Sequence, residues 1–124
     1  MISTYIDKYF LKKPLVRKII TRLIEGNKDL TPSFFNLDIY LNSVKEHGYL
    51  RSSRLINSSA FLRDEVPVLL NLANLVEDRD TFVDVGANIG IYSVFFSHFK
   101  ILKKNIQIVA YEANPNTFKR LEIN

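Results

Sequence analysis

The chain has 124 residues, of which 47% are hydrophobic, a length and composition that fit one globular domain and exclude a disordered segment. Cysteine is absent and the two histidines lie far apart, so disulfides, thiolate zinc sites and cysteine nucleophiles are excluded, and no metal site is expected. No apolar run approaches the roughly 20 residues that span a bilayer, and the N-terminus lacks the apolar core of a signal peptide. We therefore expect a cytoplasmic protein.

The net charge of +4 is concentrated at the N-terminus, where residues 1–30 carry seven basic and three acidic side chains. A charge confined to one arm argues against nucleic-acid binding, because proteins that bind phosphates spread Lys and Arg over their docking surface. Apolar residues recur at helical spacing before and after Pro14, with a stop at Gly26, and predict two helices. Either these helices pack on the rest of the protein or on a partner, or residues 2–24 contact an anionic membrane surface and make the protein peripheral to it.

The segment after these helices predicts short irregular elements. Alternating apolar residues from Phe34 to Leu41 are typical of a strand or hairpin arm. A polar stretch at 52–59 predicts a loop and a boundary. We therefore expect an N-terminal helical and short β extension at 1–60, followed by the first half of a nucleotide-type α/β domain at 61–124.

The second part predicts helices and strands in alternation. The expected elements are a helix from Asp64 with Pro67 in its first turn, a strand at 81–85, a helix at 90–103, a strand at 106–111 and a helix that starts at Asn114 and Pro115. The residues expected on buried helix faces include Val68, Leu69, Leu72, Leu75, Val76, Phe118 and Leu121. This order is typical of a parallel α/β sheet, in which ligands bind at the carboxyl ends of the strands.

Two acidic residues lie at the carboxyl ends of the two predicted strands. Asp84 lies at the end of the first strand and Glu112 directly after the second, so we expect them to meet at one edge of the sheet. Gly86 lets the backbone turn close to a ligand, and Gly90 permits tight packing of the following helix over the strand. Asn88, between them, tolerates a positive φ and can offer its amide to a ligand.

The loop after the first strand does not match a dinucleotide-binding fingerprint. Counted from Gly86, that fingerprint requires glycine where this chain has Asn88 and Ile91. Asp84 would also repel a pyrophosphate, and a P-loop is excluded because its G-K-[ST] sequence is missing. S-adenosylmethionine carries an ammonium and a sulfonium and no phosphate, so it suits an acid after the first strand. Glu112 could accept two hydrogen bonds from a ribose diol.

The two motifs together resemble a known family. VDVGANIGIYS followed by VAYEANPNTFKRLEIN is similar to the FkbM-type methyltransferases, class I S-adenosylmethionine-dependent enzymes whose motifs run DVGANIG-aromatic-S and E-x-N-P. The resemblance covers Asp64 to Asn124 and, more loosely, Phe34 to Arg54, and it departs at Ala113, where the family more often has proline. It implies a Rossmann-like parallel sheet and S-adenosyl-L-methionine as the cofactor. The residues that it implies for cofactor binding are Asp84, Gly86, Ala87, Asn88 and Gly90 on the methionine side, Glu112 at the ribose, and Ala113 and Asn114 near the adenine. Tyr92 and Ser93 are expected to line or pack this loop, and Glu65 is expected to make at most a weak ligand contact.

The resemblance also implies a seven-stranded sheet, of which this sequence supplies the first two strands. We therefore expect an incomplete sheet, with an open edge on strand 81–85 through which the chain could self-associate. No residue is nominated as catalytic, because the acceptor pocket and the general base are expected in the missing half. One hypothesis is that the chain is the N-terminal part of a methyltransferase that acts on oxygen in a glycan or a secondary metabolite. The alternative is a non-catalytic remnant or module that binds a nucleoside or a protein partner.

Overall fold

The computed structural model of the chain describes residues 13–34, 37–54, 59–98 and 105–124, without the side chains of 51–54 and 59–64. The elements in chain order are α1 (Pro14–Glu25), β1 (Asp29–Leu30), β2 (Ser33–Phe34), β3 (Leu37–Asp38), β4 (Leu41–Asn42), α2 (His47–Arg54), α3 (Ser59–Leu75), β5 (Thr81–Val85), α4 (Ile91–Ser97), β6 (Gln107–Tyr111) and α5 (Pro115–Leu121). The architecture is mixed α/β with one parallel pair of strands. The helix expected before Pro14, and residues 99–103 of the helix expected at 90–103, lie outside the described residues.

The N-terminal part consists of α1, a short hairpin and α2. α1 begins at Pro14, whose fixed φ suits a first helical turn, and is capped by Gly26, as the sequence predicts. The β1–β4 and β2–β3 ladders are antiparallel and follow one register, as in a single interrupted hairpin. The sequence predicts one strand or hairpin arm from Phe34 to Leu41, whereas the structure pairs Phe34 with Leu37, so this segment contributes to both arms of the hairpin and its ladders are two residues long. In the described part of the chain no helix is long and apolar enough to cross a membrane.

The observed helices α2 and α3 differ from the sequence predictions in two respects. α2 includes residues 52–54 and α3 begins at Ser59, so the polar stretch is helical at these positions and not a loop. Pro67 lies inside α3 and not in its first turn. Because proline has no N–H, α3 lacks one hydrogen bond to the preceding turn there. The burial of Leu69 and Ala73 later in α3 stabilises the helix against that loss.

The hydrophobic core contains two clusters of buried side chains. The first joins the hairpin and α2 to α4 and its preceding loop, and consists of Phe34, Ile39, Leu41, Leu50, Ile89, Ile91 and Val94. The second joins α3 to α4 beneath β5 and β6, and consists of Leu69, Ala73 and Phe96. The first cluster therefore contains residues of both segments that the sequence analysis predicts, 1–60 and 61–124. Val68, Leu75 and Phe118 are exposed, so the prediction that they are buried is wrong.

The parallel pair β5–β6 confirms both predicted strands. Thr81 pairs with Gln107 at one end and Val85 with Tyr111 at the other, and α4 lies between the two strands in sequence. One face of β5 packs inward, whereas Val83 and Val85 on the other face are 52% and 80% exposed. Within the described ranges, β5 pairs with no strand except β6, so its second edge is open.

Candidate functional site

Backbone hydrogen bonds join the carboxyl ends of β5 and β6. The N–H groups of Gly86 and Ala87 both donate to the carbonyl oxygen of Tyr111, each at 2.9 Å. Gly86 and Asn88 have φ values of +78° and +54°, in the left-handed region that glycine and asparagine tolerate best. The chain therefore turns sharply after β5 and lies directly against the end of β6.

The carboxylate of Glu112 holds this loop to the start of α5. Its Oε2 accepts a hydrogen bond from the backbone N–H of Asn88, and its Oε1 accepts one from the N–H of Asn114, both at 2.8 Å. Glu112 is half-buried. A carboxylate offers about four acceptor positions, so these two bonds leave capacity for the hydroxyl groups of a ligand.

Asp84 lies at the same end of the sheet and faces α4. Its Oδ2 accepts a hydrogen bond of 2.7 Å from Oγ of Ser93, which is buried in the first turn of α4. In the strand register Asp84 stands opposite Ala110, so its carboxylate and that of Glu112 belong to neighbouring strand ends. The expectation that the two acids meet at one sheet edge agrees with this register.

Two tyrosines lie beside the loop after β5. The hydroxyl of Tyr92 donates a hydrogen bond to Oε2 of Glu65, and that of Tyr49 is hydrogen-bonded to the side chain of Asn88. Burial raises the pKa of both hydroxyls above the ordinary tyrosine value, and the hydrogen bond and negative charge of Glu65 raise the pKa of Tyr92 further. The charge of Asp84 acts on both pKa values in the same direction. Both tyrosines are therefore protonated near neutral pH, and Tyr92 uses its proton in the hydrogen bond to Glu65.

These residues lie together at the carboxyl ends of the two strands, and we call them the strand-end cluster. Hydrogen bonds join Tyr92 to Glu65, Ser93 to Asp84, and Asn88 to both Tyr49 and Glu112. The members of the cluster are Tyr49, Glu65, Asp84, Asn88, Tyr92, Ser93 and Glu112. Three of them are carboxylates and none is basic. Such a group favours ligands with positive charge or with hydroxyl donors over ligands with a phosphate, which would be repelled.

The other residues that the sequence nominated for the cofactor act mainly through the backbone or through packing. Gly86 and Ala87 supply N–H groups to Tyr111, and Ala113 is exposed. The side chain of Asn114 caps α5, because its Oδ1 accepts hydrogen bonds from the N–H groups of Asn116 and Thr117 at 3.0 and 3.3 Å.

Gly90 lies where α4 and α5 pack closely together. It has a φ of +86°, and a Cβ at this position would lie 2.6 Å from Cδ1 of Leu121. No side chain fits at that distance without displacement of Leu121. The sequence analysis expects Gly90 to permit tight packing of the helix over the strand, whereas the close contact that the structure shows at Gly90 is with Leu121 of α5.

Tyr49 is the member of the strand-end cluster that sequence reasoning missed. It lies in α2, within the segment that the sequence analysis assigned to the N-terminal extension. Its contact with Asn88 arises because the first hydrophobic cluster brings α2 against the loop after β5. No local periodicity signals such a tertiary contact, although the loose resemblance over Phe34 to Arg54 includes this position.

Comparison with known proteins identifies no relative. The chain matches no protein-family model, no curated protein and no solved structure. Among the described residues, no group of three or more His, Asp or Glu side chains could hold a metal ion. The geometry of the strand-end cluster and the sequence motifs therefore carry the functional proposal.

Proposed function

We propose that the loop after β5 and Glu112 after β6 bind S-adenosyl-L-methionine, and that the chain forms the cofactor-binding part of a methyltransferase of FkbM type. The observation that carries this proposal is the hydrogen bond from the N–H of Asn88 to Glu112, which joins the ends of two adjacent parallel strands. In open α/β sheets, ligands bind at the carboxyl ends of the strands. We further propose that the parallel pair β5–β6 is the start of a Rossmann-like sheet.

The charge of the strand-end cluster supports this choice of ligand. Asp84 and Glu65 attract the ammonium and sulfonium groups, and the second acceptor positions of Glu112 suit the two hydroxyl groups of a ribose. The pyrophosphate of a nicotinamide dinucleotide would instead meet three carboxylates and no basic side chain of the cluster.

Space beside the loop also supports the proposal. A Cβ built on Gly86 meets no heavy atom within 4 Å among the described residues, so a ligand can approach the backbone there. The N–H groups of Gly86 and Ala87 are already bonded to Tyr111, which fixes the loop before any ligand arrives. Such preorganisation reduces the entropy that binding must overcome.

The chain's own residues bind and orient the cofactor, which when bound supplies an electrophilic methyl group. We propose that the methyl acceptor is an oxygen nucleophile in a glycan or a secondary metabolite, as the resemblance to FkbM-type enzymes implies. Such a transfer requires the acceptor oxygen in line with the methyl group and a base that takes its proton. Glu65 and Asp84 each accept a hydrogen bond, from Tyr92 and Ser93, and no residue of the strand-end cluster is assigned the role of this base.

Isothermal titration calorimetry tests the proposed function. We expect the chain to bind S-adenosylhomocysteine and not NAD. Glu112→Gln should weaken binding about tenfold or more, since a hydrogen bond to a charged group contributes about 1.5–3 kcal/mol. Glu122→Gln, an exposed acid after α5, is the matched control and should bind like the parent chain. Binding of NAD in place of S-adenosylhomocysteine, or equal affinity of the Glu112→Gln variant, would contradict the proposal.

A further inference from the structure

Helix α1 carries an exposed apolar row on its outer side. Leu15, Ile19 and Leu23 are each four positions apart, so they lie along one helix face, and they are 75%, 59% and 79% exposed. No residue of α1 is buried. A contiguous exposed row of large apolar side chains marks an interaction surface.

Basic side chains flank this row. Lys18 and Arg22 are exposed and lie beside it, since each follows a residue of the row by three positions. Residues 13–24 contain four basic and no acidic side chains. The first acid after them, Glu25, lies 3.8 Å from the ammonium group of Lys28. The outer side of α1 is therefore both apolar and positively charged.

The inner side of α1 faces the protein. Val16 and Ile20 are half-buried there, and α1 contacts α2. The outer row can consequently bind a surface while the inner side stays packed. No unfolding or displacement of α1 is needed for that contact.

We propose that α1 binds an anionic lipid surface, with Leu15, Ile19 and Leu23 among the upper acyl chains and with Lys18 and Arg22 at the phosphate headgroups. An anionic bilayer offers apolar chains and negative charges side by side, which complements both features of the helix. The 12 residues of α1 extend about 18 Å at about 1.5 Å per residue, so the helix is too short to span a bilayer and lies in the plane of its interface.

Co-sedimentation with lipid vesicles tests this proposal. We expect the chain to bind vesicles of phosphatidylcholine mixed with phosphatidylglycerol, to bind vesicles of phosphatidylcholine alone far more weakly, and to lose affinity at high salt. Leu15→Ser with Leu23→Ser should abolish sedimentation. Lys18→Gln with Arg22→Gln should weaken binding by about fivefold per charge removed.

Matched controls use residues of the same kind elsewhere on the surface. Leu75→Ser on α3, where the side chain is 74% exposed, and Lys119→Gln on α5 should bind vesicles like the parent chain. Circular dichroism establishes that each variant is folded. Equal binding to both vesicle types, binding that survives loss of Leu15 and Leu23, or absence of binding would overturn the proposal. A concentration-dependent dimer that these two substitutions disrupt would also overturn it, because the row would then be covered by a second copy.

Discussion

The backbone N–H of Asn88 donates a hydrogen bond of 2.8 Å to Oε2 of Glu112, so the turn after β5 is held by the residue that follows β6. The same carboxylate accepts a bond from Asn114 through its other oxygen. Glu112 therefore fixes both chain segments that leave the sheet at its carboxyl end. These two hydrogen bonds leave further acceptor positions of the Glu112 carboxylate for a ligand.

Glu112→Ala should loosen both segments, because two backbone N–H groups lose a charged acceptor. We expect hydrogen exchange at the amides of Asn88 and Asn114 to accelerate by about tenfold or more, as the loss of a bond to a charged group predicts. Glu122→Ala should leave both rates unchanged. Unaltered exchange at Asn88 in the Glu112→Ala variant would show that the carboxylate does not hold the loop.

Gly90→Ala should destabilise the fold through two effects. A left-handed φ of +86° costs a non-glycine residue about 1–2 kcal/mol, and the new methyl group would meet Leu121. Gly86→Ala separates these effects, because it has a φ of +78° and open space around its Cβ. In urea unfolding we expect a larger loss of free energy for Gly90→Ala than for Gly86→Ala. Equal losses would mean that packing against Leu121 contributes nothing.

The buried ion pair between Glu46 and Arg120 should matter more than a surface pair. Nη2 of Arg120 donates to Oε1 of Glu46 at 2.7 Å, and the two side chains are only 10% and 6% exposed. Arg120→Met leaves the carboxylate buried without its partner, which typically costs about 3–5 kcal/mol. Guanidinium unfolding of Arg120→Met should show that loss of unfolding free energy. When Glu46→Gln is added, the loss in the double variant should be smaller than the sum of the losses in the two single variants.

Lys119→Met, at the exposed position next to Arg120, is the control for this pair and should unfold at the parent midpoint. If the two single losses simply add in the double variant, the groups do not interact. The pair joins α5 to the segment before α2, so its loss should also weaken the contact between the C-terminal helix and the hairpin.

Tyr92 should make stability depend on alkaline pH. Its pKa is raised in the folded chain, chiefly by burial and then by Glu65, whereas the unfolded value is about 10. The folded state therefore retains the proton longer than the unfolded state does. Its stabilising contribution is complete below about pH 10 and is lost as the pH rises further toward the folded pKa. Tyr92→Phe should show a shallower fall in the free energy of unfolding above pH 10, and the same slope as the parent would contradict this assignment.

The parallel strands were predictable because their signals are local. The apolar runs that form β5 and β6 are each bounded by turn residues, and Asn114 with Pro115 marks the start of α5 by the ordinary rules of helix capping. Asp84 lies at the carboxyl end of β5 and Glu112 directly follows β6, so their shared sheet edge also follows from chain order.

The remaining features depend on tertiary contacts that no local pattern records. Pro67 favours a helix start, yet α3 continues through it because later residues of the helix are buried. Tyr49 reaches the loop only because α2 packs in the same hydrophobic cluster as Ile89. Phe118 fits a buried helical position by spacing but is exposed among the described residues of α5.

The measurement that tests the central claim most directly is a titration of the isotopically labelled chain with S-adenosylhomocysteine, followed by backbone amide chemical shifts in solution. We expect saturable shifts concentrated at residues 84–90 and 112–114, with little change in α1. If these shift changes are absent in the Glu112→Gln variant at the same ligand concentration, ligand binding depends on the Glu112 carboxylate. Unchanged shifts at Asn88 and Asn114, or shifts confined to other regions, would contradict a cofactor site at these strand ends.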